Sequence, residues 1–268
     1  MKILMKRFAL PGLILVLAAP ALAQDAGDDW DLTHDARQKA VVASLTFDSG
    51  IGLGARCMDG AYEMLFSGLP PVSTGLRTLA FSHDGGPATE TSWAVGSDHT
   101  SAFSDFPAPL ARRLRAGGRI EVTVPAENGQ PAKRFVLDLP RSEHAIDETL
   151  TACHRPLSDP HDIKLVSSLP STGVGGGYRW ATPPLGVYPT RAIRAHVDSG
   201  SANITCGVRP DGRLSDCVVE TERPAGVGFG QAAIDSARRA RLAPPSGDAP
   251  PIAAGALITF RSTFAVAP

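Results

Sequence analysis

Two four-residue segments, Phe47-Asp48-Ser49-Gly50 and Val197-Asp198-Ser199-Gly200, are the residues whose types and order point most directly to chemistry. Each has the hydrophobic-Asp-Ser-Gly pattern in which two carboxylates, brought close, share one proton and activate a water. Their surroundings differ, however, and no hydrophobic-hydrophobic-Gly partner follows either copy. Asp, Ser and Gly are also ordinary turn residues. An aspartic-type hydrolase using Asp48 and Asp198 is therefore the alternative, and the expectation is that the chain is not an enzyme.

The other constellations have equally plain readings. Gly226-x-Gly228 stands before a helical pattern, as in a dinucleotide fingerprint, but Gln231 follows where a third glycine belongs and no parallel βαβ unit surrounds it. A conformational bend explains it, so no cofactor is expected. His154 and His161 with Asp159 and Asp162 read as solvated loop residues rather than metal ligands, and Arg238, Arg239 and Arg241 as a solvated helix face. No metal site is expected.

Cys57, Cys153, Cys206 and Cys217 show no Cys-x-x-Cys spacing, which argues against zinc. Ahead of them, Lys2, Lys6 and Arg7 precede an apolar run that ends Ala21-Leu22-Ala23, the pattern of a secretory signal peptide cut after Ala23. Its removal takes the formal net charge from −1 to −4, which gives no basic patch for nucleic acid. The implied destination is a secreted, oxidising one, and there two disulfides are expected, with three connectivities open. Hairpin logic favours Cys206 with Cys217, leaving Cys57 with Cys153. No later stretch is apolar enough to span a membrane.

The elements that would position these residues are mostly strands. Ala40-Phe47, Gly52-Cys57, Ala61-Ser67, Leu76-Ser82 and Thr89-Val95 read as an antiparallel meander, with Asp59-Gly60 as one hairpin turn. A short helix is expected over Ala108-Ala116. A hairpin turning at Asn128-Gly129 follows, in which Ile120 faces Leu137 and Val122 faces Phe135. The segment Ser142-Cys153 has a helical stripe of Ile146, Leu150 and Cys153.

Beyond a stretch rich in Ser, Pro, Thr and Gly, with Gly173-Gly177 at its centre and an Ile163-Val166 run before it, a helix is expected at Thr190-Ala195. A hairpin then turns at Asp211-Gly212. A two-residue turn sets Cys206 opposite Cys217, Ile204 opposite Val219 and Val208 opposite Ser215, whereas a three-residue turn with a bulge at Gly212 shifts the pairing by one. Phe229, Ala233, Ala237 and Ala240 give a helix that Pro244-Pro245 stops. A last strand is expected over Ala254-Phe264.

The expected organisation is a signal peptide at 1–23, a flexible N-terminus at 24–38, an N-terminal domain at 39–154, a linker at 155–184 and a C-terminal domain at 185–268. The fold class is α+β, its N-terminal domain an antiparallel β-rich unit with one or two short helices.

The C-terminal residues carry a resemblance. Tyr188-Pro189, Ala192, Val208, Asp211-Gly212, Ala232-Ala233, Ala237, Ala240-Arg241-Leu242-Ala243-Pro244 and Ile258-Thr259-Phe260 are similar, in order, to the TonB C-terminal domain family. Leu242 departs from the family's aromatic. The resemblance implies a helix packed on a three-stranded antiparallel sheet whose last strand is an edge. That edge accepts an extended polypeptide, such as the TonB box of an outer-membrane transporter, as an added strand. The residues so implicated are Gly255, Ala256, Leu257, Ile258, Thr259, Phe260 and Arg261. A protein partner in the cell envelope is thus expected. With a cleaved signal and no long spacer, the implied protein is a periplasmic binding protein; an uncleaved signal would instead make it a membrane-anchored energy transducer.

Overall fold

The computed structural model describes residues 29–126, 129–162, 174, 178–243, 252–253 and 255–266. The expected signal peptide, Glu127-Asn128 of one expected turn, the Ile163-Val166 run, most of Gly173-Gly177 and the Pro244-Pro245 helix stop lie outside the described residues.

Antiparallel sheet dominates, with few helices. Nine strands form one sheet: β1 (Asp31–Asp35), β2 (Ala40–Thr46), β3 (Gly52–Met58), β4 (Ala61–Ser67), β5 (Leu76–His83), β6 (Thr89–Val95), β7 (Ala102–Ser104), β8 (Gly118–Val124) and β9 (Lys133–Leu139). Their order is β1-β2-β3-β4-β7-β6-β5-β8-β9. Alternation drives the pairing: Tyr62, Met64 and Phe66 of β4 and Phe135, Leu137 and Leu139 of β9 are buried while their neighbours are not. Asp59 and Gly60, at φ 47° and 81°, close the β3–β4 hairpin with the two left-handed residues a tight primed turn requires. Ile120 pairs with Leu137 and Val122 with Phe135.

Two helices cover this sheet. α1 (Pro107–Leu114) packs on β4 and β7, and α2 (Ala145–Ala152) on β2 and β3. The disulfide Cys57–Cys153 fastens the end of α2 to β3.

The segment expected to be a flexible N-terminus contains β1, which pairs with β2, and the buried Trp30. Its Asp-Leu-Thr-His-Asp sequence lacks apolar alternation because it is an edge strand with mostly exposed side chains, held by main-chain pairing. Just before it, the Asp29 carboxylate accepts the N–H groups of Glu143, His144 and Ala145 at the start of α2.

The second sheet has the order β12-β11-β14, from β11 (Ser199–Val208), β12 (Leu214–Arg223) and β14 (Ala256–Ala265). α4 (Phe229–Ala237) packs on β11 and β12 through Phe229, Ala233 and Ala237, all buried. A short helix, α3 (Thr190–Arg194), precedes this sheet. Ile204, Cys206, Leu242, Ile258 and Phe260 complete the second core.

One alternative left open is decided, and two details differ from expectation. The hairpin turn is the three-residue form: Val208 pairs with Leu214, and Gly212 sits at φ 82° with Leu242 O so close that no Cβ would fit. Asp216, at φ 52°, then absorbs one residue, so Thr205 meets Val218 and Ile204 meets Val219, and Cys206 is bonded to Cys217. The helix, however, ends at Ala237, and Arg241–Ala243 forms strand β13 instead. The partner of β13 is in turn β10 (Arg179–Thr182), from the segment expected to be a linker.

Candidate functional site

Edge strands are the exposed hydrogen-bonding surface of any open sheet, so the two edges of the three-stranded sheet decide what it can bind. β14 pairs with β11 from Ser199↔Ala265 to Val208↔Ala256 without a bulge. The Val266 N–H donates to Asp198 O in the same register at 3.0 Å, which sets the phase. Even-numbered residues of β14 therefore turn their main-chain groups toward β11. Leu257, Thr259, Arg261, Thr263 and Ala265 turn theirs outward. Among the described residues, no hydrogen bond reaches those outward groups.

The opposite edge is closed. β12 lies against β4 and α1, and Arg155 Nη2 donates to Val219 O at 2.9 Å. The guanidinium thus occupies a carbonyl that a further strand would need.

The side chains of the expected binding strand divide between two faces. Ile258 and Phe260 enter the core on the α4 side, where Phe260 meets Trp180 edge-on at 5.1 Å. Gly255 takes φ 71° in the turn before the strand. Ala256 and Leu257 are partly exposed, and Thr259 is buried.

The Arg261 side chain is engaged within the protein, on the face of the strand away from α4. Its Nε donates to Asn203 Oδ1 at 3.0 Å and its Nη2 to Asp105 Oδ2 at 2.8 Å. Asn203 Nδ2 donates to the other Asp105 oxygen at 2.8 Å, and Arg223 Nη1 stands 3.5 Å from it. Asp105, only 3% exposed, comes from the β7–α1 junction of the large sheet, so one carboxylate ties all three strands of the small sheet to it. Burial pushes the Asp105 carboxyl above its ordinary range, against the pull of Arg261 and Arg223.

A second polar group lies nearby. Glu220 is buried on β12, and burial raises its carboxyl against the pull of Thr205, Arg155 and Arg112. The same desolvation lowers Arg155. Asp105, Asn203, Arg223 and Glu220 were not expected from the sequence, because each is an unremarkable residue in its own segment.

The remaining expected residues have structural settings. Asp48 lies in the β2–β3 turn and Asp198 just before β11, both exposed. Asp162 holds Arg112 through two hydrogen bonds of 2.6 and 2.7 Å, while Asp159 pairs with His161 at 2.9 Å. At the glycine bend, Gly228 adopts φ 99° and Glu222 Oε1 accepts the N–H groups of Gly228 and Phe229 at 2.6 and 2.9 Å. The start of α4 is therefore filled by the protein's own carboxylate. Arg238 pairs with Asp235, and Arg241 donates to Asp211 O. Among the described residues, no helix is long and apolar enough to cross a membrane.

No family model matches this chain, and no curated protein does. Among solved structures, it is similar to the solution NMR structure of the Pseudomonas aeruginosa TonB CTD, with 18% identity and a TM-score of 0.27 over 35% of this chain and 88% of that one. At that identity and score the likeness bears on neither partner nor activity.

Proposed function

We propose that this protein is a non-enzymatic, periplasmic binding protein of TonB-like type that takes an extended polypeptide as an added strand on β14. The observation that carries this reading is the contrast between its two edges. β14 is unbulged and its outward main-chain groups have no partner among the described residues, whereas β12 is blocked by Arg155. The partner that the sequence resemblance suggests is the TonB box of an outer-membrane transporter, and the two disulfides suit an oxidising compartment. Strand addition gives affinity through the main chain, so the partner is recognised by its extended form before its side chains.

The test is a titration of the isotope-labelled full chain with TonB-box peptides. The amides of Leu257, Thr259 and Arg261 should shift and gain protection from exchange. N-methylation of alternate peptide residues should abolish binding in one phase and spare it in the other. Equal binding of both phases, or no shift at those amides, overturns the proposal.

A further inference from the structure

Strand β12 carries a second irregularity, and it places a charged residue. Ile204 pairs with Val219 and Asn203 with Thr221, so Glu220 is the extra residue of a bulge. Bulges re-aim side chains, and here Glu220 lines a cleft of about 480 Å³ between the small sheet and α1 with the 155–161 segment. The floor crosses all three strands, through Leu257, Gly207 and Glu220. Its volume lies in the range of small-ligand sites, roughly 300–1,000 Å³.

Gly207 is not a demand of the backbone. A Cβ there would come no nearer than 3.4 Å to Ser215 O, an ordinary contact. Glycine inside a strand weakens it, and what its missing side chain leaves here is open space on the cleft floor.

Three polar groups in the cleft keep hydrogen-bonding capacity to spare. Glu220 is 7% exposed and has no ion pair among the described residues. Arg155 gives one N–H to Val219 O and joins no salt bridge among them. The Thr205 hydroxyl is buried close to Glu220 yet makes no hydrogen bond of ordinary geometry. Arg112, by contrast, is committed to Asp162 and Pro156 O. The walls are apolar at Ala108, Pro109, Pro156 and Leu257.

We propose that this cleft binds a neutral carboxamide on an aliphatic stem. A primary amide carries an NH2 donor group and a C=O acceptor on the same plane, so one N–H can donate to Glu220 while the C=O accepts from Arg155. An ammonium meets Arg155 as a like charge, and a carboxylate meets Glu220 as one. The apolar walls match the stem. The amide belongs either to a free small molecule or to an Asn or Gln side chain of a polypeptide on β14, since Gly255 and Leu257 border both.

The probes are pentanamide, pentanoate and pentylammonium, titrated onto the labelled full chain while the amides of Gly207, Val218 and Leu257 are followed. Pentanamide should bind about tenfold more tightly than either ion, as one like-charge contact of about 1.4 kcal/mol requires. Gly207→Leu should remove the response by filling the cleft, and Glu220→Gln should shrink the preference over pentanoate. A glutamine-bearing strand peptide that moves Gly207 as well supports the polypeptide source, and response to pentanamide alone supports the free one. Silence at those three amides, or an ion binding as tightly as pentanamide, overturns the site in the unmodified protein, whatever the variants do.

Discussion

Asp105 is the residue on which the joining of the two sheets turns. Its carboxylate is almost wholly removed from water, with Arg261 at 2.8 Å and Arg223 at 3.5 Å. Taking a charge pair out of water costs several kcal/mol per ion, so such a pair adds little net stability, but removing one partner strands the other. Arg261→Met should therefore destabilise by about 3–5 kcal/mol, softened by Arg223 remaining beside the carboxylate. Adding Asp105→Asn should cost much less than it does alone, because the stranded charge is gone. Urea unfolding of the two single variants and the double gives the coupling directly. Strict additivity would mean that Arg261 and Asp105 do not stabilise each other and that the junction is held by packing.

At the scale of elements, α4 shows how a sequence feature that looks like a site becomes part of the frame. Gly226-x-Gly228 sits where an anion-binding turn would, and an anion is indeed there: Glu222 accepts from Gly228 and Phe229. Gly230 lets the helix approach β12, since a Cβ there would fall 2.9 Å from Val219 Cγ1. Glu222→Ala leaves two helix-start donors unmet and should cost about 1–2 kcal/mol; Glu222→Gln keeps one acceptor and should cost roughly half that. Thermal denaturation of both variants checks the order. Equal losses would show that the charge contributes nothing. Strands with clean alternation were legible in the sequence, and so was the register of β8 with β9, because Ile120, Val122, Phe135 and Leu137 admit one buried face. β1, β10 and β13 were not legible, since such short or exposed strands carry no periodic signal. Nor were the bulges at Asp216 and Glu220, which a count from the turn does not contain.

For the molecule as a whole, the strand proposed to bind was visible in the alternation of Leu257 to Ser262, but its anchorage was not. Asp105, Asn203 and Arg261 meet across separations of 98 and 156 residues, and no local pattern encodes such a meeting. That anchorage ties the two sheets to each other in the folded state, so stability should pass between them. The disulfide Cys57–Cys153, with a sequence separation of 96, lies wholly in the large sheet and its helix. In the chain-entropy account a loop of that length contributes about 4–5 kcal/mol by limiting the unfolded chain. Trp30 and Trp93 lie in the first core, while Trp180 packs against the second, so the sheets can be followed separately. Replacing both cysteines by serine, with Trp30 and Trp93 changed to phenylalanine in this and in a disulfide-bearing reference protein, isolates the Trp180 signal. Its unfolding midpoint should fall along with that of the whole chain followed by backbone circular dichroism, a signal to which the nine-stranded sheet contributes most strands. If Trp180 instead melts where it does with the disulfide present, the Asp105 junction does not couple the sheets, and β14 would have to be treated as the edge of an independent module.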